Sequence, residues 1–399
     1  MQTRLLERFL RYVAVTSQSD ASQAVVPSTE GQRSLAELLK KDLAELGLVN
    51  LEISEYSVLT GKLPANLPAG SGEQVPAVGF VAHLDTVDVN LSADIKPQVV
   101  RSYSGGDICL NEKKGIYLRE AEHPELLKYK GQDIVCTDGT SVLGADNKAA
   151  IANVVVALET LVQNKDLQHG DIYVAFVPDE ECGLRGAKKM DFSKFPVAFA
   201  YTIDCCELGE VVYETFNAGS AVVVNPTLVA VDLINSFDRM QTPEHTEGTE
   251  GYIWAKSIIS NQSEAVVQLD IRDHNKNTYE ARKHLIKTNV ESLQKLYPRA
   301  EIVCTITDTY GNIADAVNDE NRKCIDYIYT AMSELGIKPN TIAMRGGTDG
   351  SYISTQGILT PNYFTGGHNF HSNCEFLPLL ALEKSCQMTL KLIELIAKG

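Results

Sequence analysis

The sequence has no long apolar run, no paired-cysteine motif and no excess of positive charge, and each absence removes a class of protein. Nowhere do about 18 apolar residues follow one another, so no stretch reads as a membrane-spanning helix. The first ten residues, MQTRLLERFL, are amphipathic and lack the apolar centre of a secretory signal. Nine cysteines, an odd number with no CxxC spacing, suit reduced thiols better than a disulfide framework. With 36 basic against 52 acidic residues and a formal net charge of −16, neither nucleic acid nor an anionic membrane is an expected partner, whereas a divalent cation is compatible. These features together predict a cytoplasmic protein. No internal repeat or low-complexity tract interrupts the chain. What remains is an ordinary globular composition, 44% hydrophobic and 22% charged, in 399 residues, long enough for two compact domains.

What is present is a series of short apolar strands that end in ligand-type residues. Residues 78–86, VGFVAHLDT, read as a buried parallel strand bounded by Pro76. His83 and Asp85 stand at its carboxyl end, two apart and so pointing the same way, on the edge where open α/β sheets bind ligands. One can touch a metal while the other orients it. Taken alone, the pair also describes a core histidine bonded to a neighbouring carboxylate. Repetition shifts the balance: residues 172–177, IYVAFV, run into Asp179, Glu180 and Glu181, and residues 197–203, VAFAYTI, stop at Asp204. Asp146, in GADNK, lies just before a helical run over 149–162. If the three strands are parallel neighbours, all these groups meet at one sheet edge.

The rest of the chain supplies the frame. Helical spacing marks 5–15 and 30–46, the latter stopped by Gly47, and 51–59 alternates as a strand. Residues 60–76 read as a loop, and the polar stretch 88–139, with extended pieces at 128–130 and 133–137, as an insertion forming an edge hairpin. A strand over 210–216 precedes Asn225-Pro226, an N-cap with proline in the first turn of a helix running to about Met240. Strands at 252–259 and 265–271, a helix at 278–296 and a strand at 300–307 follow. That order is ferredoxin-like but one strand short. A helix at 321–335, strands near Ile342 and at 357–364, and a helix at 378–398 close the chain. The fold class is α/β: a mostly parallel-sheet domain with helices on both faces, residues 1–215 and 320–399, carrying an inserted, apparently truncated α+β domain over 216–319.

Histidine and carboxylate without cysteine form a ligand set suited to Zn²⁺, and also to Mn²⁺ or Co²⁺. Two such ions bridged by a carboxylate generate hydroxide and polarise a carbonyl together. Adjacent residues diverge in direction, so of Glu180 and Glu181 one can ligate while the other stands free as a base. By itself, Asp179-Glu180-Glu181 reads more readily as a solvated acidic turn.

The motifs AHLDT (82–86), GADNKA (144–149), VPDEECG (177–183), YTIDCCELGE (201–210), RGGTDGS (345–351) and FTGGHNFHSNCEF (364–376) occur in this order. They resemble the peptidase T family, tripeptide aminopeptidases of the co-catalytic zinc aminopeptidase/carboxypeptidase superfamily. LPAN (63–66) and HTEGTEG (245–251) extend the likeness over nearly the whole chain and favour this family over an aminoacylase or dipeptidase of the same superfamily. The resemblance implies two Zn²⁺ per chain, one held by His83, Asp146 and Asp204, the other by Asp146, Glu181 and His371. It implies that Asp85 orients His83, that Glu180 is the general base, and that the Asp146-Asn147 bond is cis. Arg272 and the turn at Arg345 resemble elements that grip the carboxylate end of a short peptide, although a surface arginine and a glycine turn would look the same. His371 is preferred over His368 as ligand by its spacing to Glu375, Cys182, Cys205 and Cys206 are packing residues, and Lys148 is a helix-start cation. The inserted domain would act as a lid and could carry a homodimer contact.

One departure stands against the resemblance. The family's lid has, after its first strand, a loop with a His-Pro pair whose histidine stabilises the tetrahedral intermediate. Here residues 221–225 pass almost directly into the next helix, and no histidine occurs between His169 and His245. On the order of fifteen residues, a strand and its loop, are missing by this reading. Two functions are therefore expected from sequence: a two-zinc exopeptidase on short peptides, or a metal- and peptide-binding protein with impaired catalysis.

Overall fold

The structure, a computed structural model, describes residues 1–67, 75–224, 227–261 and 263–399. In chain order its elements are α1 (Gln2–Val13), α2 (Glu30–Glu45), β1 (Val49–Ile53), β2 (Leu59–Leu63), β3 (Val78–His83), β4 (Pro97–Val100), β5 (Ile108–Asn111), β6 (Ile116–Leu118), β7 (Ile134–Thr137), α3 (Ala145–Gln163), β8 (Ile172–Val177), β9 (Phe199–Cys205) and β10 (Glu210–Thr215). A second group follows: β11 (Asn217–Val224), α4 (Thr227–Asn235), β12 (Tyr252–Ser260), β13 (Ala265–Asp273), α5 (Lys276–Leu296) and β14 (Val303–Tyr310). The chain closes with α6 (Lys323–Glu334), β15 (Asn340–Met344), α7 (Asp349–Thr355), β16 (Asn362–Phe364), β17 (Leu377–Pro378) and α8 (Leu379–Lys398).

Eight strands form the main sheet in the order β1-β2-β8-β3-β9-β16-β10-β15. Its centre, β8-β3-β9-β16, is parallel, while β1, β2 and the β10/β16 pair run antiparallel. β3 lies between two parallel neighbours and is buried at all six positions, which its apolar run VGFVAH requires. Phe80 and Ala82 join the core under α1, α2, α3, α6 and α8, while Val81 faces a smaller core with Ile353 of α7 and Phe195. Among the described residues, no helix is long and apolar enough to cross a membrane.

β11 to β14 form a separate antiparallel sheet in the order β12-β13-β11-β14, covered by α4 and α5 around Val223, Leu269, Ile271, Ile286 and Val290. This is a complete split-βαβ arrangement: β11 is the strand by which the order was read as short, and among the described residues no further strand stands between it and α4. The N-cap and proline expected at Asn225 and Pro226 fall outside the described residues. α4 ends at Asn235 rather than near Met240, because Ser236 turns back to cap it, its hydroxyl donating to the Leu233 carbonyl at 2.6 Å.

Other boundaries also differ from expectation. The alternation over 51–59 is broken by a turn in which Ser54 and Val58 bond to each other, giving the β1/β2 hairpin instead of one strand and moving β2 into the expected loop. Residues 128–130 are not extended; Pro124–Tyr129 is a 3₁₀ turn that aims the Tyr129 hydroxyl at His368, 2.6 Å away. The polar insertion builds the small sheet β17-β7-β4 and the hairpin β5/β6 around its own core, more than a single edge hairpin. α7 and β17 carry no distinct signal in the sequence, and the strand expected over 357–364 is confined to β16.

α1 is held on α2 by a buried acid. Asp42 accepts from Arg8 at 2.8 Å, Arg11 at 2.9 Å and the Tyr12 hydroxyl at 2.8 Å. Asp42→Ala leaves these donors without an acceptor and is expected to destabilise the main-sheet lobe by about 3 kcal/mol, read as a fall in its urea midpoint.

Candidate metal centre

The carboxyl ends of β8, β3 and β9 lie side by side, with His83 paired to Val177 and Val81 paired to Thr202. His83 ends β3, Asp204 is one residue short of the end of β9, and Glu180 and Glu181 follow β8 after Pro178. Gly144, in the left-handed region at φ +73°, turns the chain into α3, and Asp146 and Asn147 are non-helical with a cis peptide bond between them. This kink swings the Asp146 carboxylate over the strand ends. Its Oδ1 lies 2.9 Å from His83 Nε2 and its Oδ2 lies 3.1 Å from His371 Nε2. His371 Nε2 is also 2.9 Å from Glu181 Oε1, an ion-pair distance without hydrogen-bond alignment, since that oxygen is buried without a hydrogen-bond partner.

Three sets of ligand-type atoms, each within 4.8 Å of one another, emerge: His83-Asp146-Asp204, Asp146-Glu181-His371, and His83-Glu180-Glu181. The first two share Asp146. The third contains both glutamates, so distance alone does not separate ligand from base. Asp85 accepts from the backbone N–H of Glu180 at 3.0 Å and of Glu181 at 3.2 Å. His83 Nδ1 lies 3.0 Å from the Asp85 carbonyl and 3.4 Å from its carboxylate, so Asp85 fixes the histidine and both glutamates together.

The charges in this cluster do not balance by themselves. Burial holds Glu180 and Asp204 well above the ordinary carboxylate range, with neighbouring acids adding and His83 opposing. Burial also raises Glu181, which Asp146 pushes further. For Asp146, burial is outweighed by the bonds from His371 and His83, and its carboxyl falls. Contacts with Asp146 and Glu181 push His371 up to about 11; for His83, burial is outweighed by Asp146 and Asp85 and the ring rises. Among the described residues no lysine or arginine pairs with Asp85, Asp146, Glu180, Glu181, Asp204 or Asp349, and Lys148 Nζ turns away to the Val15 carbonyl at 2.7 Å. Oxygens of Glu181, Asn147 and Asp349 are buried without hydrogen-bond partners. Ligand atoms around a four-coordinate zinc stand about 3.3 Å apart, close to the 2.9–3.1 Å separations around Asp146 and His371. Donor set, spacing and uncompensated charge all fit divalent cations.

Residues 144–395 match Peptidase family M20/M25/M40. The chain belongs to this family. A Peptidase T-like protein of Yersinia pestis is 51% identical over 98% of this chain and 97% of its own length. A Peptidase T-like protein of Rhizobium meliloti is 47% identical over 100% and 99%, and Peptidase T of Caldanaerobacter subterraneus is 39% identical over 99% of each. The Rhizobium alignment runs over 413 positions against 399 residues here, so that relative carries residues this chain lacks. Among solved structures, aminopeptidase PepT of Bacillus cereus superposes with a TM-score of 0.76 at 20% identity, covering 100% of this chain and 99% of that one. A dinuclear metal-binding M20 peptidase of Bacillus subtilis gives 0.67 at 14%, covering 100% and 98%.

Around the M20 cluster, several residues do work that the sequence did not announce. Glu375 is buried and accepts from the N–H groups of Leu143, Gly144 and Asp146 at 2.6, 3.0 and 3.2 Å, tying the loop of His371 to the turn of Asp146. Asn147 donates to Asp204 Oδ1 at 2.9 Å. Asp179 is spent on Ser28 and Gln32, anchoring the acidic turn from behind. Asp349 is buried, its carboxyl pushed up to about 7 by burial. Each was visible only as part of a quoted motif, because a buried acid and an exposed one look alike in sequence. Glu375→Gln places an amide where three N–H donors converge and is expected to weaken metal retention by about 10–100-fold, measured by competition with a chelator.

The residues expected to meet substrate are differently placed. Arg272, on β13, lies over the Tyr310 ring at 5.6 Å. Arg345 spends its donors on residues 246–250, reaching the carbonyls of Gly248 and Glu250 at 3.1 and 3.0 Å and the Thr246 hydroxyl at 2.8 Å. It also lies over the rings of Phe216 and Tyr252. His368 is stacked on Phe376 and bonded to Tyr129, outside the three ligand sets. His245 is exposed, with Nδ1 3.0 Å from the Thr242 hydroxyl.

Proposed function

We propose that this M20 peptidase is an aminopeptidase that removes the N-terminal residue from short peptides, tripeptides among them, with two divalent ions per chain, zinc first and Mn²⁺ or Co²⁺ as substitutes. The observation that carries this reading is the Asp146 carboxylate, whose two oxygens each meet a different histidine while Asp204 and Glu181 complete two sets of three. His83, Asp146 and Asp204 would hold one ion, and Asp146, Glu181 and His371 the other. Such ions supply Lewis acidity and lower the pKa of water. Glu180 accepts a proton from the attacking water and returns it to the leaving amine. Asp85 keeps Glu180, Glu181 and the His83 ring in register through the contacts described above. Residues 1–215 and 320–399 would form the catalytic unit, with 216–319 as a lid; Arg272, whose guanidinium is less committed than that of Arg345, would receive the peptide carboxylate.

A chelated sample should lose tripeptide hydrolysis and regain it with Zn²⁺, Mn²⁺ or Co²⁺, and an N-acetylated tripeptide should not be cleaved. Hydrolysis that persists in metal-free protein, or a preference for the acetylated peptide, would exclude this reading. A second reading, peptide binding with poor turnover, is favoured by the passage from β11 at Val224 to α4 at Thr227 with no His-Pro pair between them. Turnover on the order of ~10 s⁻¹ separates the two.

A further inference from the structure

If residues 216–319 cover the ligand cluster, some donor from that lobe must face the carbonyl oxygen as it becomes an oxyanion. The connection between β11 and α4 cannot supply a histidine, because none occurs between His169 and His245. Arg272 is reserved for the peptide carboxylate on the reading above, and three further donors nearby are engaged. His274 has Nδ1 3.3 Å from the Thr249 carbonyl and Nε2 3.1 Å from the Met344 carbonyl. The Asn217 amide donates to the carbonyls of Asp273 and His274, and Arg345 is bound to residues 246–250. The Tyr310 hydroxyl differs: it makes no hydrogen bond among the described residues, and the residue is only partly buried.

Tyr310 is also held in place with little freedom. It ends β14, where it pairs with Ala218 of β11. Its ring packs against Gly347: a Cβ there would stand 2.4–2.9 Å from three ring carbons, so glycine is required for the approach. Two residues on, Asp349 starts α7 and is buried against the cluster, its carboxyl acted on by His83, Asp85 and Glu181. The Arg272 guanidinium also lies over the ring, 5.6 Å from its centre. The ring thus touches the turn of the main-sheet lobe at Gly347 and the Arg272 cation of its own lobe.

We propose that Tyr310 donates the hydrogen bond that stabilises the oxyanion of the tetrahedral intermediate, in the role for which this chain has no His-Pro histidine. The inference rests on the aminopeptidase reading. The chemistry of the phenol suits such a donor. Burial, with Arg272 opposing and Glu180 adding, pushes it up to about 12, so it remains a neutral O–H group where the enzyme works. The proton stays on the tyrosine oxygen throughout, and the group is a donor, not an acid.

The test is Tyr310→Phe, which keeps the ring against Gly347 and under Arg272 and deletes only the hydroxyl. With the metal-loaded protein, kcat on a tripeptide is expected to fall ~10²–10³-fold, with KM within about two-fold and metal content and melting temperature unchanged. A phosphinic pseudotripeptide, which mimics the tetrahedral oxygen, should lose affinity by a similar factor in calorimetry, while a product dipeptide binds as before. Unchanged kcat and unchanged phosphinate affinity would overturn the proposal. So would equal losses for phosphinate and dipeptide, or lost metal, since those mark a structural role. Should the parent protein cleave no tripeptide, the aminopeptidase reading fails on its own, and the phosphinate comparison still decides the fate of Tyr310.

Discussion

Glu180→Gln should keep both metal ions and lose at least ~10²-fold in turnover on tripeptides, while Glu181→Gln should lose metal. Two adjacent acids with opposite phenotypes follow from their surroundings. Glu181 Oε1 stands 2.9 Å from His371 and shares that ring with Asp146, so a neutral amide there weakens one ligand set directly. Glu180 belongs only to the grouping with His83 and Glu181, and burial keeps its carboxyl ready to hold a proton. Glutamine preserves its volume and the backbone bond to Asp85, so what disappears is proton transfer. Elemental analysis and steady-state rates on both variants decide the matter. If Glu180→Gln sheds an ion and Glu181→Gln keeps two, the assignments must be exchanged.

Asp146→Ala is expected to cost more than either. Of the two proposed ion sites, His83 and Asp204 serve one and Glu181 and His371 the other, whereas Asp146 serves both, and each of its oxygens meets a different histidine. Metal content should fall from about two ions per chain to less than one, and hydrolysis to that of the metal-free protein. Ligand-linked stability should vanish with it: an ion present at about 100 times its dissociation constant contributes about 2.7 kcal/mol, so added zinc should no longer raise the melting temperature. A variant that retains one tightly held ion would mean that the two sets are independent and that Asp146 does not bridge them.

Much of this centre could be read from sequence because parallel strands advertise themselves. VGFVA and IYVAFV are apolar at every position since both faces are covered, and the residues at their ends must then lie on the sheet edge. Asp146 was legible by the glycine before it and the helix after it. The complete four-stranded second sheet was not, because residues 217–224, NAGSAVVV, carry small residues at the positions where a strand pattern would alternate. The hairpin of β1 and β2 was hidden for the opposite reason: its alternation runs straight through the turn, and only the bond between Ser54 and Val58 breaks it. Glu375, Asn147 and Asp179 act on backbone and amide groups brought close by tertiary folding, which no spacing rule encodes.

The passage between the two lobes is narrow. The chain leaves the main sheet at Thr215 and comes back beside that point at Asn312, and the two are stitched together: Asn312 Oδ1 accepts from Thr215 N–H at 2.8 Å, and Asn217 Oδ1 accepts from Asn312 N–H at 3.0 Å. An insertion whose two ends touch behaves as a cassette. Its length can drift without moving any residue of the host, because nothing downstream of the seam is displaced. Residues can be gained or lost between β11 and α4, and a tyrosine recruited on β14, while His83, Asp146, Glu181, Asp204 and His371 stay where they are. Evolution can thus retune the inserted lobe on a different schedule from the lobe that carries the ligand cluster.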